Sequence, residues 1–358
     1  MLKKFSVRSK FRKYNVSFVG DFTQELARCV QDPAIVIVDK KVYELFRDRL
    51  SFLKPEMLII VESREDNKTI DFCQRLIRQM IDKKIKKNYK LIAVGGGVVQ
   101  DITAFMASIL FRGIEWIFFP TTLLAQADSC IGSKTSINFE GYKNILGNFY
   151  PPSLVYIDMS FLNSLAEEET KSGIGEMLHF FLYAGNSCTK KMIKEYDLIL
   201  KERKRLKKYI AESLQIKKRV IEVDEFDKGE RNLFNYGHTF GHALESITNY
   251  AIPHGQAVTV GMDLANYLSL KKKLISEEQF QGMHQILLKN MPTRICRFFS
   301  LKKYMKVLSK DKKNVNSNLT CILTHGQGRM EKREILMDGQ LQSSIKEYFD
   351  CFKFCGRK

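Results

Sequence analysis

Short apolar runs bounded by charged or turn-forming residues set the pattern of the first half of the chain. AIVIVD (34–39), MLIIVE (57–62), KLIAVG (90–95) and WIFFP (116–120) have the length of strands and are rich in branched and aromatic side chains. Stretches with helical spacing lie between several of them, such as DFCQRLIRQMIDKKI. Strands alternating with helices predict a parallel, doubly wound α/β unit. From about residue 161 the texture changes to successive helical patterns at 205–222, 236–248, 255–272 and 277–289, with one strand-like run, LTCILT. Two domains are therefore expected, an α/β domain over 1–160 and a mostly α-helical one over 161–358.

Composition narrows the class. An apolar share of 44% over 358 residues is that of a globular protein. No apolar run reaches the roughly 18 residues of a membrane span. The basic start, MLKKFSVRSKFRKYNVSF, is followed by no apolar stretch or small-residue cleavage site, so a secretory signal is not expected. Eight cysteines without CxxC pairs read as reduced thiols, which suits the cytoplasm. The net charge of +18 is spread along the chain rather than gathered in blocks. It reads as a solvated lysine-rich surface, with neither nucleic acid nor membrane as partner, that would still attract an anionic, phosphorylated substrate.

Three groups of residues suggest chemistry. In KLIAVGGGVVQD a strand, Gly95-Gly96-Gly97 and a helix follow one another. Glycines let a backbone approach a pyrophosphate, and the helix N-terminus offers it free N–H groups. The spacing is not GxGxxG, so alone this could be a tight turn, with Asp101 simply favouring the helix's positive end. NYGHTFGHALES puts His238 and His242 four apart on one helix face, and IPHGQAV adds His254 just before the next helix. Glu176, flanked by glycines in SGIGEMLHF, is read as beginning an apolar helix. Two imidazoles and a carboxylate make a three-ligand metal site with an open position. Spacing does not choose the two histidines; the pair His238/His242 is the simplest choice. Lastly, Asp128, Lys134, Lys143 and Asn144 fall in a glycine-punctuated segment, Arg112 in FRGIEW, and Lys217, Arg231 and Asn235 in KKRVIEVDEFDKGERNLFN. Cations and amides in such loops suit an anionic, hydroxylated substrate.

GGGVVQD, FRGIEWIFFPTTLLAQADSCIGSKT, YKNILGNFYPP, SGIGEM, VDEFDKGERNLFNYGHTFGHALE and PHGQAV occur in the order and spacing of the dehydroquinate synthase family. The chain resembles that family from about residue 60 to 330. The resemblance implies an N-terminal NAD-binding domain, a helical metal-binding C-terminal domain and a homodimer. It assigns a divalent metal, zinc or cobalt, to Glu176, His238 and His254, and turns His242 toward the substrate phosphate. Lys217 and Arg231 match residues that hold the substrate carboxylate. Lys134, Asn144 and Asn235 match phosphate or polar contacts, as does Lys312 or Lys313. Asp128 matches a contact to substrate hydroxyl and bound water, and Arg112 an arginine that reaches into the neighbouring subunit's site. For NAD it implies Asp39, Glu65, Lys68, Gly95, Gly96, Gly97, Asp101, Thr121 and Thr122, with Asp128, Lys134 and Lys143 beside them.

The family reaction converts 3-deoxy-D-arabino-heptulosonate 7-phosphate to 3-dehydroquinate and phosphate. Transient oxidation by NAD, phosphate elimination, re-reduction and intramolecular aldol closure follow one another, so the net outcome is that of a lyase. In the family this belongs to the shikimate pathway of aromatic amino-acid biosynthesis. Three positions depart from the pattern. His179 stands where a lysine usually contacts the substrate, Lys41 where an asparagine often meets the cofactor, and Ser133 where a glycine is usual. NFEGYKN is also similar to relatives that cyclise sedoheptulose 7-phosphate to 2-epi-5-epi-valiolone. Other readings are a metal-dependent NAD alcohol dehydrogenase and a non-catalytic anion-binding protein.

Overall fold

The four strand-like runs form one side of a seven-stranded sheet. The protein is seen in a computed structural model that describes residues 3–140, 142–185, 187–292, 299–310 and 318–351. The chain divides into two compact units, Met1–Ala166 with Leu206–Phe226, and Glu167–Arg205 with Asp227–Lys358.

The first unit opens with an antiparallel pair, β1 (Lys4–Arg8) and β2 (Lys13–Val19), then α1 (Phe22–Cys29), β3 (Ala34–Asp39), α2 (Lys40–Leu45), β4 (Leu58–Val61) and α3 (Ile70–Asp82). It continues with β5 (Lys90–Gly95), α4 (Gly97–Ile109), β6 (Trp116–Pro120), β7 (Lys134–Phe139), β8 (Tyr142–Phe149) and β9 (Leu154–Asp158). The sheet order is β1-β2-β9-β6-β5-β3-β4, and every pairing after the first is parallel. β3, β5 and β6 are buried almost throughout, as strands covered on both faces must be, which is why they read as continuous apolar runs. Phe22 and Leu26 of α1 pack with Val36, Val38, Ile92, Val94 and Phe119 in the core of this unit. The glycine-punctuated segment is not a loop. It forms an antiparallel hairpin, β7 with β8, with Thr135 and Ile137 alternating inward.

The second unit contains α5 (Glu167–Ala184), α6 (Cys188–Lys194) and α7 (Tyr196–Lys201). The next helix, α8 (Leu206–Val223), returns to the first unit, although a boundary at 160 assigns it to the second. Periodicity identifies an apolar face but not what covers it. Here Ser213 donates to the Ala127 carbonyl at 2.9 Å, and Glu222 accepts from the Arg8 N–H at 2.7 Å. After α8 come α9 (His238–Ile247), α10 (His254–Lys271), α11 (Glu277–Leu288), α12 (Leu301–Leu308), the hairpin β10 (Asn318–Thr324) with β11 (Met330–Leu336), and α13 (Gly339–Cys351). α10 is buried at every position from Gly255 to Ser269, the mark of a helix surrounded by others. α11 starts on a reciprocal Ser276/Gln279 capping box. Among the described residues, no helix is long and apolar enough to cross a membrane.

Candidate active site

The nucleotide-type motif lies where the sheet topology reverses direction. From β3 the chain crosses outward to β4 and then back to β5, so β5 ends at a topological switch point. Gly96 precedes α4, and Thr121, at the end of β6, donates its N–H to the Gly95 carbonyl at 2.9 Å. Thr122 packs against Gly96, where a Cβ would lie 2.9 Å from its methyl group. At Gly97, by contrast, an added Cβ meets nothing within 4 Å, so packing does not require glycine there. Asp39 ends the neighbouring strand β3 and caps α2 by accepting the Val42 N–H at 2.9 Å. Lys41 is exposed on α2.

Several cofactor-type residues meet beside this turn. Lys68 Nζ is buried and lies 2.7 Å from Asp101 Oδ2 and 3.9 Å from Glu65 Oε1. Asp101 does more than favour a helix end, since Ser136 also donates to it through backbone and hydroxyl, each at 3.2 Å. Burial pushes the Asp101 carboxyl above its usual range, with the Lys68 ammonium pulling the other way. The hairpin completes the group: Asn138 donates to Glu65 Oε1 at 2.9 Å, Lys143 Nζ lies 4.0 Å from the same oxygen, and Asn144 accepts from Ser136 at 3.0 Å. Asn144 adopts φ +54, a left-handed conformation an asparagine tolerates. Lys134, first residue of β7, is exposed.

A third cluster in the first unit surrounds Asp128, which stands in a single π-helical turn, Ala125–Ser129. Such turns break helical regularity and recur at functional sites. Lys217 of α8, 7% exposed, donates to the Asp128 carboxylate at 2.7 Å and to its carbonyl at 2.9 Å. Gln100 and Ser129 exchange two hydrogen bonds that tie this turn to α4. Ser133, in place of the usual glycine, takes φ +57, and its hydroxyl donates to buried Glu225. Arg112 is exposed on a strained turn in which Phe111 and Arg112 have φ +49 and +68.

In the second unit, three helices bring a carboxylate and three imidazoles together. Glu176 stands in the middle of α5 rather than at its start, because the acidic first turn Glu167–Glu169 extends the helix backward. A Cβ on Gly175 would lie 2.0 Å from the Gly255 carbonyl, and one on Gly255 would lie 1.8 Å from that of Ser172. Glycine at both positions therefore lets α5 and α10 touch backbone to backbone beside Glu176 and His254. Gly237, at φ +81, turns the chain into α9, whose first residue is His238. Glu176 Oε1 lies 3.1 Å from His254 Nε2 and 3.7 Å from His238 Nε2. One ring nitrogen from each of His238, His242 and His254 lies within 4.8 Å of those of the other two.

This arrangement fits a divalent metal. Glu176 Oε1 is buried and faces two ring nitrogens. Bonds of about 2.0–2.1 Å at tetrahedral angles set two ligand atoms roughly 3.3 Å apart, close to both separations. Both histidines also bind oxygen through Nδ1: His238 meets the Tyr236 carbonyl at 3.3 Å and His254 the Glu245 carboxylate at 3.1 Å. Their Nε2 atoms are thus turned toward Glu176. Burial would raise the Glu176 carboxyl, but the charges of His238 and His254 hold it well below the carboxylate range. His254 is lowered by burial and raised more by Glu245 and Glu176, ending well above an ordinary imidazole.

The other expected residues of this unit occupy varied settings. His242 is exposed, one turn beyond His238, with its ring stacked 5.5 Å from that of His254. Arg231 is buried and Asn235 is half-buried, its amide on the Asn232 carbonyl at 2.9 Å. His179 is 1% exposed, in an aromatic wall made by Phe180, Phe234, Tyr236 and His238, the last at 5.2 Å. Lys312 and Lys313 lie outside the described residues. Sequence reading passed over Gln100, Ser136, Asn138 and Glu245. For Glu245 a signal existed: it follows His238 by seven residues, on the same helical face.

Residues 58–172 match the family model for the N-terminal domain of 3-dehydroquinate synthase, and residues 173–314 match that for its C-terminal domain. The chain is 34% identical over 351 residues to the 3-dehydroquinate synthase of Dictyoglomus turgidum, covering 97% of this chain and 98% of the relative. It is also 34% identical over 316 residues to that of Clostridium tetani, covering 87% and 83%. Among solved structures, a 2-deoxy-scyllo-inosose synthase complexed with carbaglucose-6-phosphate, NAD+ and Co2+ superposes with a TM-score of 0.85 at 24% identity, covering 96% of this chain and 99% of that one. The 2-epi-5-epi-valiolone synthase ValA of Streptomyces hygroscopicus subsp. jinggangensis, with NAD+ and Zn2+ bound, superposes at 0.83 and 21% identity with the same coverage. These two likenesses establish the fold.

Proposed function

The chain belongs to the 3-dehydroquinate synthase family, and we propose that it converts 3-deoxy-D-arabino-heptulosonate 7-phosphate to 3-dehydroquinate and inorganic phosphate. In this reading NAD and one divalent metal, zinc or cobalt, are its cofactors, as in the neighbouring cyclase structures. The observation that carries it is the buried Glu176 oxygen facing His238 Nε2 at 3.7 Å and His254 Nε2 at 3.1 Å. These three residues would hold the metal. The chemistry supplied by the bound groups is polarisation of the reacting oxygen by the metal and reversible hydride acceptance by NAD.

The chain's own residues supply binding and orientation. Arg231, buried and always charged, suits a substrate carboxylate, and Lys217 adds a second cation whose position Asp128 fixes. His242, Lys134, Asn144 and Asn235 are assigned to the phosphate and the hydroxyls, where several donors share a dianion and stabilise it as it leaves. The substrate phosphate can take the proton removed during elimination, so no strong protein base is needed. Asp39, Glu65, Lys68, Asp101 and the turn 95–97 are assigned to NAD, with the pyrophosphate at the N-terminus of α4. A homodimer is part of the proposal, with Arg112 on its strained turn reaching the partner's site. The protein is taken to act in the cytoplasm.

A second reading has one observation in its favour. His179 offers a buried ring in an aromatic wall rather than a mobile ammonium, which suits a substrate with less charge, such as sedoheptulose 7-phosphate. Phosphate release by the NAD- and zinc-loaded protein, offered each substrate separately, decides the matter. Release from the keto-acid phosphate with no net NADH is the expected result. Release from sedoheptulose 7-phosphate alone would move the chain to the valiolone-type cyclases, and stoichiometric NADH would make it a dehydrogenase.

A further inference from the structure

His254 lies between two buried carboxylates. On one side is Glu176, whose Oε1 is 3.1 Å from Nε2; on the other is Glu245 of α9, whose Oε2 is 3.1 Å from Nδ1. Glu245 is 6% exposed, and among the described residues its carboxylate bonds no other side chain. A buried carboxylate persists only where a cation or donor compensates it. A carboxylate oxygen carries no proton, so the hydrogen of the Glu245 contact must reside on Nδ1. That places the lone pair of a neutral His254 on Nε2, the atom facing Glu176. His238 reaches the same orientation with a weaker acceptor, the Tyr236 carbonyl at 3.3 Å. The two imidazoles thus differ in what stands behind them: a neutral carbonyl for one, a full negative charge for the other.

We propose that Glu245 is a positioning residue for the metal: its carboxylate accepts a hydrogen bond from the Nδ1–H of His254, fixes that ring's tautomer and angle, and makes Nε2 the more basic imidazole donor of the site. Outer partners of this kind typically govern 10–100-fold of metal affinity. The two carboxylates also set the charge of the site. With neutral imidazoles, Glu176 and Glu245 together carry two negative charges, which a dication balances. Helix α9 thereby supplies both His238 and, two turns later, the residue that aims His254 from the start of α10. The inference rests on the ligand set proposed above.

The test uses the full-length protein freed of metal, with zinc affinity read by competition against a chromophoric chelator. Cobalt(II) is then added and its visible ligand-field spectrum recorded. The variants are Glu245→Gln, which keeps an acceptor but removes the charge, Glu245→Leu, which removes both, and Glu176→Gln as the ligand control. Zinc affinity should fall about 10–100-fold in Glu245→Leu and less in Glu245→Gln. The cobalt bands should shift in the leucine variant and remain close to the parent's in the glutamine variant. In zinc-loaded protein labelled with 15N-histidine, His254 should show the Nδ1-protonated form, lost in Glu245→Leu. Zinc affinity and cobalt spectrum unchanged in both Glu245 variants, with Glu176→Gln defective, would overturn this inference and leave the ligand set standing. A parent protein that binds no zinc, or a Glu176→Gln variant that binds it normally, overturns both. Should the leucine variant fail to fold, the glutamine variant's affinity and the parent's 15N spectrum still decide.

Discussion

Gly255→Ala should damage the proposed metal site without touching a proposed ligand. The added Cβ would lie 1.8 Å from the Ser172 carbonyl oxygen and 2.7 Å from its carbon. Ordinary van der Waals contact begins near 3.4 Å, so the backbones of α5 and α10 must separate by roughly 1.6 Å. Neither atom is the end of a flexible side chain, so no rotamer change relieves the clash. Ser172 is one helical turn before Glu176, and His254 is the residue next to Gly255, so the separation falls on the 3.1 Å approach of Glu176 to His254. Metal sites tolerate about 0.2 Å of error in ligand distance. Zinc affinity should therefore fall by at least the roughly 10–100-fold that loss of an outer partner costs. Overpacking should also cost the fold about 1–3 kcal/mol. Chelator competition at low temperature on the folded variant, beside a thermal melt of the metal-free form, separates the two effects. A melt lowered by several degrees with zinc affinity within about threefold of the parent would refute the reasoning, since the helix contact would then not set the ligand geometry.

Gly97→Val should leave the melting temperature nearly unchanged, because a side chain there meets open space, yet weaken NAD binding by about tenfold if the pyrophosphate lies on the N-terminus of α4; a fluorescence titration with NADH reads this directly. Lys217→Met strands the partly exposed Asp128 carboxylate it holds at 2.7 Å, so stability should fall by about 1–3 kcal/mol. Adding Asp128→Asn should recover much of that in a denaturant melt without restoring phosphate release. Glu222, which burial would raise but Lys218 and the Arg8 N–H outweigh, has its carboxyl lowered. Its contribution is present above the unfolded value near 4.3 and is lost as pH falls through the lower folded value. Glu222→Gln should cost about 1 kcal/mol or less at neutral pH, and the gap from the parent should close in melts run below the carboxylate range.

How much could be read beforehand followed from where each signal is stored. β3, β5 and β6 were legible because burial on both faces makes a strand a continuous apolar run, and α8 to α11 because long helices repeat their period many times. β2 was missed although Tyr14, Val16 and Phe18 alternate inward, since seven residues with polar positions between give a faint signal. The β7–β8 hairpin looked like a loop because its outer face is polar and glycine interrupts it. The chemistry followed the same rule. His238, His242 and His254 are rare residue types at short spacing and drew attention as such. What turns the Nε2 atoms of two of them toward Glu176 is a set of relations between distant segments: Gly175 against Gly255, Tyr236 behind His238, Glu245 behind His254. None of these appears as a local pattern, because each partner looks ordinary in its own segment. The i,i+4 spacing of His238 and His242 is a local pattern, yet the two differ in setting: His238 Nε2 lies 3.7 Å from the buried carboxylate, while His242 is exposed. Helical spacing says which residues share a face; which of them turn a ring nitrogen toward Glu176 depends on the oxygen atoms the rest of the fold places behind each ring.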